Sequence, residues 1–186
     1  YVAKELIALA INLATNARNA EGFCSINNGC QRLMDRLIKT HDPLLSKFIR
    51  NIALHEKLRA GMKKYILDLF SISTKTDNQD LLVELLGILG YMNIWKDIPF
   101  AQMIKQFNFV EFAYKHLVPG CCEDDIILEI IIVLGTIIVD EESATAIAKS
   151  PIIRNVCDLF AEKQEDDEMV QQLLYLFFKF LCFEDT

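Results

Sequence analysis

Six cysteines and three histidines are the residues of this 186-residue chain that could carry out nucleophilic or metal chemistry. No two cysteines form a C-x-x-C pair, and none of His41, His55 and His116 stands at a zinc-ligand offset from another candidate ligand. Spacing alone leaves a Cys–His nucleophile pair open, yet no local motif accompanies one. We therefore expect free, reduced thiols, histidines with structural roles, and no metal or cofactor site.

Carboxylates recur in clusters, but at positions that predict the starts of helices. The clusters are Asp42, Asp77 with Asp80, Glu123 to Asp125, and Glu165 to Glu168. Negative charge at a helix start caps free N–H groups and complements the helix dipole, so we interpret these residues as caps rather than as an acid/base pair. Phosphate-loop, dinucleotide, metalloprotease and serine-hydrolase motifs are absent. These observations predict no enzymatic activity and no catalytic residues, and a helical enzyme with a hidden site is the alternative class.

The composition is that of a folded chain, because 52% of the residues are apolar and 24% are charged. The longest apolar run, Ile126 to Val139, is shorter than the ~20 residues that span a membrane, so we expect no membrane insertion. A net charge of −7 argues against nucleic acid as a partner. Residues 1–94 carry +3 and residues 95–186 carry −10, an asymmetry that steers charged partners or reflects solvated acidic faces.

Five long apolar segments repeat along the chain, each after an acidic or proline start. They are Ala3–Ala14, Pro43–Leu54, Asp80–Ile94, Asp124–Val139 and Asp167–Cys182. Their equivalent residues, Asn12, Asn51, Tyr91, Thr136 and Phe178, are separated by 39, 40, 45 and 42 residues. This spacing is typical of HEAT and armadillo arrays, and the segment lengths favour helices. A buried strand over the β-branched run 126–139 remains the alternative there.

Shorter amphipathic helices are predicted between the long ones. They are Gly29–Lys39, Met62–Ser71, Phe109–Leu117 and Ile152–Ala161, with still shorter stretches such as Ala17–Ile26 and Glu141–Lys149 before them. Three helices per unit favour armadillo over HEAT repeats. We predict an all-α, right-handed armadillo-repeat superhelix, an α-solenoid, with a leading helix over 1–15 and about four repeats over 16–54, 55–94, 95–139 and 140–182.

Both ends of the predicted array carry apolar surface, and the chain begins at Tyr1 without an initiator Met. These features indicate an internal part of a longer protein. They also predict self-association through exposed apolar residues, namely Ile7, Leu9 and Ile11 or Leu176, Phe177 and Phe180.

Three glycines, Gly87, Gly90 and Gly135, lie inside predicted long helices. Each costs about 1 kcal/mol relative to alanine, so each needs a reason. Close helix packing is one reason, and a groove wall left open for a partner backbone is the other. Trp95, in a connecting segment, is predicted to pack beneath a loop.

Five sequence strings at corresponding places, in order along the chain, resemble the kinesin-associated protein family. They are ELIALAINLATNARNA (Glu5–Ala20), DPLLSKFIRNI (Asp42–Ile52), EDDIILEIIIVLGTI (Glu123–Ile137), AKSPII (Ala148–Ile153) and QEDDEMV (Gln164–Val170). The resemblance is strong over 5–52 and 123–170 and weaker over 55–122. It implies a cytoplasmic armadillo adaptor without enzymatic activity. Such an adaptor binds the motor subunit tails of heterotrimeric kinesin-II and connects them to cargo adaptors in microtubule-based and intraflagellar transport at the cytoskeleton and cilium.

An unrelated armadillo adaptor of β-catenin-like or importin-α-like type is the alternative scaffold. In the importin-α branch, a Trp and an Asn four residues later form a ladder along the groove. Here Asn12 and Asn51 match the Asn places, whereas Ala8 and Lys47 occupy the Trp places. The missing Trp ladder argues against binding of nuclear-localisation signals.

The long helices are expected to line a partner-binding groove. The predicted groove residues are Ala8, Asn12, Lys47, Asn51, Gly87, Tyr91, Ile132 and Thr136. Asn12 and Asn51 have two open interpretations, contact with a ligand or links between neighbouring repeats. Tyr91 is the predicted aromatic anchor. The partner segment is expected to place a basic end near the acids of 123–125 and 165–168.

Overall fold

The structure of the chain is a computed structural model that describes residues 4–92 and 98–183. Every regular element within these residues is a helix. The chain divides into two compact units, unit 1 (Tyr1–Met92) and unit 2 (Asn93–Thr186). The predicted all-α class is therefore confirmed, whereas the division into about four repeats stays a prediction.

The described residues of unit 1 form seven α-helices, three of which are the predicted long ones. They are α1 (Lys4–Leu13), α2 (Ala17–Ser25), α3 (Gly29–Thr40), α4 (Pro43–Ala53), α5 (Glu56–Arg59), α6 (Ile66–Ser73) and α7 (Gln79–Gly90). Short 3₁₀ segments, Ile26–Asn28 and Ala60–Tyr65, precede α3 and α6. Within this unit α4 packs against α1 on one side and α7 on the other, and α3 packs against α4.

Unit 2 contains six described α-helices, including the other two long ones. They are α8 (Phe100–Gln106), α9 (Phe109–His116), α10 (Asp124–Ile137), α11 (Glu141–Ala148), α12 (Ile152–Glu162) and α13 (Asp167–Leu181). Helix α10 packs against α13 and α9. The β-branched run therefore forms a helix, and the alternative of a buried strand is wrong. The reason is that packing on α9 and α13 buries this helix on most of its sides.

Capping side chains fix the starts of several helices, as the acidic clusters predict. The Asp42 carboxylate accepts hydrogen bonds from the Leu44 and Leu45 N–H groups at 2.9 and 3.3 Å. Asp166 accepts one from Met169 N at 3.0 Å. Helices α7 and α10 differ from this prediction. Asn78 caps α7 rather than the neighbouring acids, and Glu123 at the start of α10 makes no side-chain capping hydrogen bond. Each such cap contributes about 1 kcal/mol.

Polar contacts join helices at the surface of unit 2. Lys163 Nζ lies 2.9 Å from Asp124 Oδ2 and so connects the end of α12 to the start of α10. Asn155 Nδ2 donates to Tyr114 O at 3.1 Å, which connects α12 to α9. These exposed contacts are worth little individually, so burial of the apolar helix faces supplies most of the stability.

Two apolar faces remain exposed, one on α1 and one on α13. On α1 they are the side chains of Leu6, Leu9 and Leu13, and on α13 those of Leu174, Tyr175, Phe178 and Leu181. The sequence-based prediction of which apolar residues are exposed on these faces was wrong in part. Ile11 is 7% exposed and Leu176 is 0% exposed, because these two point into the core.

Two sequence predictions fall on residues outside the described ranges. They are the packing role of Trp95 and the boundary between the repeats 55–94 and 95–139. Among the helices of 4–92 and 98–183, none has the length and apolar character needed to cross a bilayer.

We expect the chain to self-associate at high concentration through the exposed faces on α1 and α13. Replacing Leu174 and Phe178 by Glu places charge on the α13 face and should lower the apparent mass at a given concentration, because apolar contact is lost. Light scattering over a concentration series measures this. Leu67→Glu is the matched control, since Leu67 is equally exposed but lies on α6.

A chain that stays monomeric at every concentration would contradict this prediction. Circular dichroism of each variant establishes that the helices are intact.

Candidate functional site

The eight predicted groove residues differ widely in accessibility. Ala8, Asn12 and Lys47 are exposed, Asn51, Tyr91 and Ile132 are half-buried, and Gly87 and Thr136 are buried. Six of the eight belong to the long helices of unit 1 or follow them directly. We call the surface that carries Asn12, Lys47, Asn51, Arg59 and Tyr91 the unit 1 face.

Two side chains of unit 1, one on α4 and one two residues beyond its end, bind carbonyls at the end of α1. Asn51 Nδ2 donates to Ile11 O at 2.9 Å. His55 Nε2 donates to Ala14 O, also at 2.9 Å. The last carbonyls of a helix have no partner within it, so these bonds satisfy groups that would otherwise need water. For Asn51 the structure thus shows the link between neighbouring long helices, one of the two open interpretations.

A buried carboxylate lies between α4 and α7. The Glu84 side chain is only 11% exposed, and its oxygens lie 3.7 Å from Lys47 Nζ and 3.5 Å from Arg50 Nη1. A carboxylate buried to this degree requires cationic neighbours, because the loss of hydration is costly. Glu84 Oε2 makes no hydrogen bond, so its pairing with Arg50 is purely electrostatic.

Gly87 allows the Arg50 side chain to cross α7. A Cβ at position 87 would lie 2.3 Å from Arg50 Nε, well inside contact distance. In unit 2, a Cβ at Gly135 would lie 3.1 Å from two ring carbons of Tyr175. Close packing is therefore confirmed at both glycines, and the alternative of an open groove wall is wrong there.

Tyr91, the predicted anchor, already contacts a cation. The Arg59 guanidinium lies over its ring, 5.2 Å from the centroid. Arg59 Nε donates to Ala53 O at 2.7 Å, and Nη2 donates to Leu54 O at 3.2 Å. Arg59 therefore caps the end of α4 and fixes one face of Tyr91 at the same time.

Sequence reasoning missed Arg59 as a member of the unit 1 face, and it missed the pairing of Glu84 with Arg50 beside this face. One signal was available for Glu84, because it is a single acid inside the apolar string DLLVELLGILG. Arg59 lies in the four-residue helix α5, whose direction the repeat spacing does not specify.

Two of the predicted groove positions lie in unit 2, both on α10. Ile132 is half-buried on α10, Thr136 is buried, and the exposed apolar side chains belong to α13. Some of the acids at the helix starts already form contacts within the protein. Asp124 pairs with Lys163, and Asp166 caps α13. The hydrogen bond to Asp124 raises the pKa of Lys163.

A pair of thiols, Cys24 and Cys30, lies at the junction of α2 and α3. Asn27 and Asn28 have φ of 51° and 57° and bend the chain between the two cysteines. The hydrogen bond from Cys24 to the Cys30 sulfur lowers the pKa of Cys30, with a further contribution from Lys64, and raises that of Cys24. Burial raises the pKa of Cys122 to about 11. The sequence predicts free thiols, and the structure shows six of them.

The kinesin-associated protein (KAP) family matches the chain over residues 1–186. The chain belongs to this family. The match includes residues 55–122, where the resemblance of the sequence strings is weaker.

The fold of this family member is similar to that of solved armadillo repeat proteins. A designed armadillo repeat protein in complex with the peptide (KR)4 has a TM-score of 0.69 and 10% identity, over 93% of this chain and 73% of that one. A computationally designed armadillo repeat protein for modular peptide recognition has a TM-score of 0.67 and 11% identity, over 96% and 77%. An engineered protein has a TM-score of 0.72 and 16% identity, over 95% and 72%. The predicted armadillo-type α-solenoid is thus confirmed.

We expect Gly87→Ala to destabilise this protein, with Gly22→Ala as the matched control. The new methyl group at 87 displaces Arg50 and weakens the pairing of Glu84, for a net loss of about 1–2 kcal/mol after the gain in helix propensity. Position 22, on α2, has no atom within 4 Å of a new Cβ, so Ala there should stabilise by about 0.5–1 kcal/mol. Chemical denaturation measures both. Equal effects at the two positions would show that Arg50 adapts without cost.

We expect Cys30 to react with iodoacetamide faster than Cys122 at pH 8. The thiolate is the nucleophile, and the pKa is lowered at Cys30 and raised to about 11 at Cys122. Mass spectrometry of peptides after timed labelling gives the two rates. Cys24→Ala removes the donor to the Cys30 sulfur and should slow labelling at Cys30. Faster labelling at Cys122 than at Cys30 would contradict the assignment.

Proposed function

We propose that this family member is a non-enzymatic adaptor that binds the tails of the kinesin-II motor subunits and couples them to cargo adaptors. The observation that carries the proposal is the family match over the whole chain. The armadillo fold supports it, because a row of long helices offers an extended surface without needing a catalytic centre. Cytoplasmic microtubule-based transport, including intraflagellar transport in cilia, is the setting that we propose.

The unit 1 face is the first surface that we propose for partner binding. Asn51, Arg59 and Tyr91 are held by contacts within the protein, so they lose little freedom when a partner binds. Lys47 and Asn12 are exposed beside them and offer donors and, at Asn12, an acceptor. Tyr91 supplies aromatic area, which often dominates interface energetics.

Unit 2 supplies the second proposed surface, with apolar and acidic parts. We propose that a basic end of the partner segment contacts the acids at the starts of α10 and α13, namely Glu123, Asp124, Asp125, Glu165, Asp166, Asp167 and Glu168. Because an exposed ion pair contributes only about 0.2–1 kcal/mol, apolar contacts must supply most of the affinity. The exposed Leu174 and Phe178 side chains and the half-buried Ile132 offer such contacts.

We expect Tyr91→Ala to weaken binding of purified motor tails about tenfold or more, because an aromatic anchor is lost. Fluorescence anisotropy with labelled tail fragments measures the affinity. Tyr114→Ala is the matched control, since Tyr114 is an exposed tyrosine on α9. The triple variant Glu165→Gln, Asp167→Asn, Glu168→Gln spares the Asp166 cap and should lower the association rate and its salt dependence.

Unchanged binding in the tyrosine and acid variants would move the site to other surfaces of the chain. Absence of tail binding by the intact chain would overturn the proposed function.

A further inference from the structure

The unit 1 face carries an excess of positive charge on and beside α4. Lys47 and Arg59 contribute two cations, while the Glu84 carboxylate between α4 and α7 pairs with Arg50. Glu56, the acid on α5, forms no ion pair with Lys47 or Arg59 among the described residues. The local charge is therefore positive.

The cations and the carboxylate of this cluster differ in accessibility. The Lys47 side chain is 55% exposed, whereas that of Glu84 is 11% exposed. Lys47 also lies 3.7 Å from the carboxylate, longer than a hydrogen bond, so its ammonium group keeps the capacity to donate. A partner consequently meets the lysine and not the carboxylate.

Arg59 is held in place by the protein, but not all of its N–H donors are used. Two of its five N–H donors bind the Ala53 and Leu54 carbonyls, which fixes the guanidinium over Tyr91. The other three have no acceptor among the described residues. A guanidinium held in place by its own protein binds a carboxylate with less loss of side-chain freedom than a mobile one.

We infer that the unit 1 face binds an acidic peptide segment of a partner protein, whose carboxylates pair with Lys47 and Arg59. The inference rests on the proposed function only in using a long-helix face for binding. It adds the sign of the charge that the partner segment carries where it contacts this face.

Three octapeptides test the inference with the 186-residue chain: alternating Asp-Glu, alternating Lys-Arg, and alternating Ser-Gln. Anisotropy at low salt should show binding of the acidic peptide and at least tenfold weaker binding of the other two. Lys47→Met should lower the affinity for the acidic peptide about two- to fivefold, as expected for one exposed ion pair. The matched control Lys39→Met removes the same charge on α3 and should change the affinity by less than half as much.

Arg59→Gln should also lower the affinity for the acidic peptide. Because this substitution removes the cap of α4 as well, thermal unfolding of each variant separates the loss of binding from a loss of stability. Tighter binding of the Lys-Arg peptide, or equal losses in Lys47→Met and Lys39→Met, would overturn the inference. An octathymidylate strand that binds more tightly than the acidic peptide, and equally depends on Lys47, would also overturn it, in favour of a nucleic-acid partner. Self-association that Lys47→Met abolishes would overturn it in favour of a second copy of this chain.

The inference and the proposed function fail in different ways. If motor tails bind but neither the acidic peptide nor the Lys47 dependence is found, the inference fails alone. If the acidic peptide binds through Lys47 but motor tails do not bind, the proposed function fails and the inference stands.

Discussion

Side-by-side packing of the long helices restricts where polar side chains can lie. Helix α4 packs against α1, α3 and α7, and its buried residues include Phe48, Ile49 and Ile52. A polar group on such a helix must face the remaining open side or be paired inside. Asn51 and Glu84 follow this constraint, the first through a backbone carbonyl of α1 and the second through two cations of α4.

The same packing orders the unit 1 face before any partner arrives. Arg59 caps α4 and covers Tyr91, and Arg50 crosses α7 only because Gly87 lacks a side chain. Stability and recognition therefore share residues in this surface. A substitution here changes both, which is why each binding measurement needs an accompanying measurement of unfolding.

Charge is distributed differently in the two units. In unit 1 Lys47 and Arg50 lie beside the buried Glu84 carboxylate. In unit 2 the acids lie at helix starts, where Asp166 serves as a cap. Surface charges of this kind mainly set orientation and association rate, while apolar contacts set affinity.

The sequence by itself determined the helical class, the five long helices, most of their starts, and the family. The reason is that these properties depend on local patterns, namely apolar runs, capping residues and the spacing of about 40 residues between the long segments. It could not determine which apolar residues are exposed, since Ile11 and Leu176 face the core while Leu9 and Phe178 do not. The rotation of each helix about its axis depends on its neighbours.

Tertiary structure alone decided the members of the unit 1 face. Arg59 lies beside Tyr91, 32 positions later in the sequence, and Glu84 lies beside Lys47, 37 positions earlier. No local pattern specifies contacts over such separations, because they arise where separate helices meet. The residues that give this surface its charge therefore become identifiable only when α4, α5 and α7 are packed together.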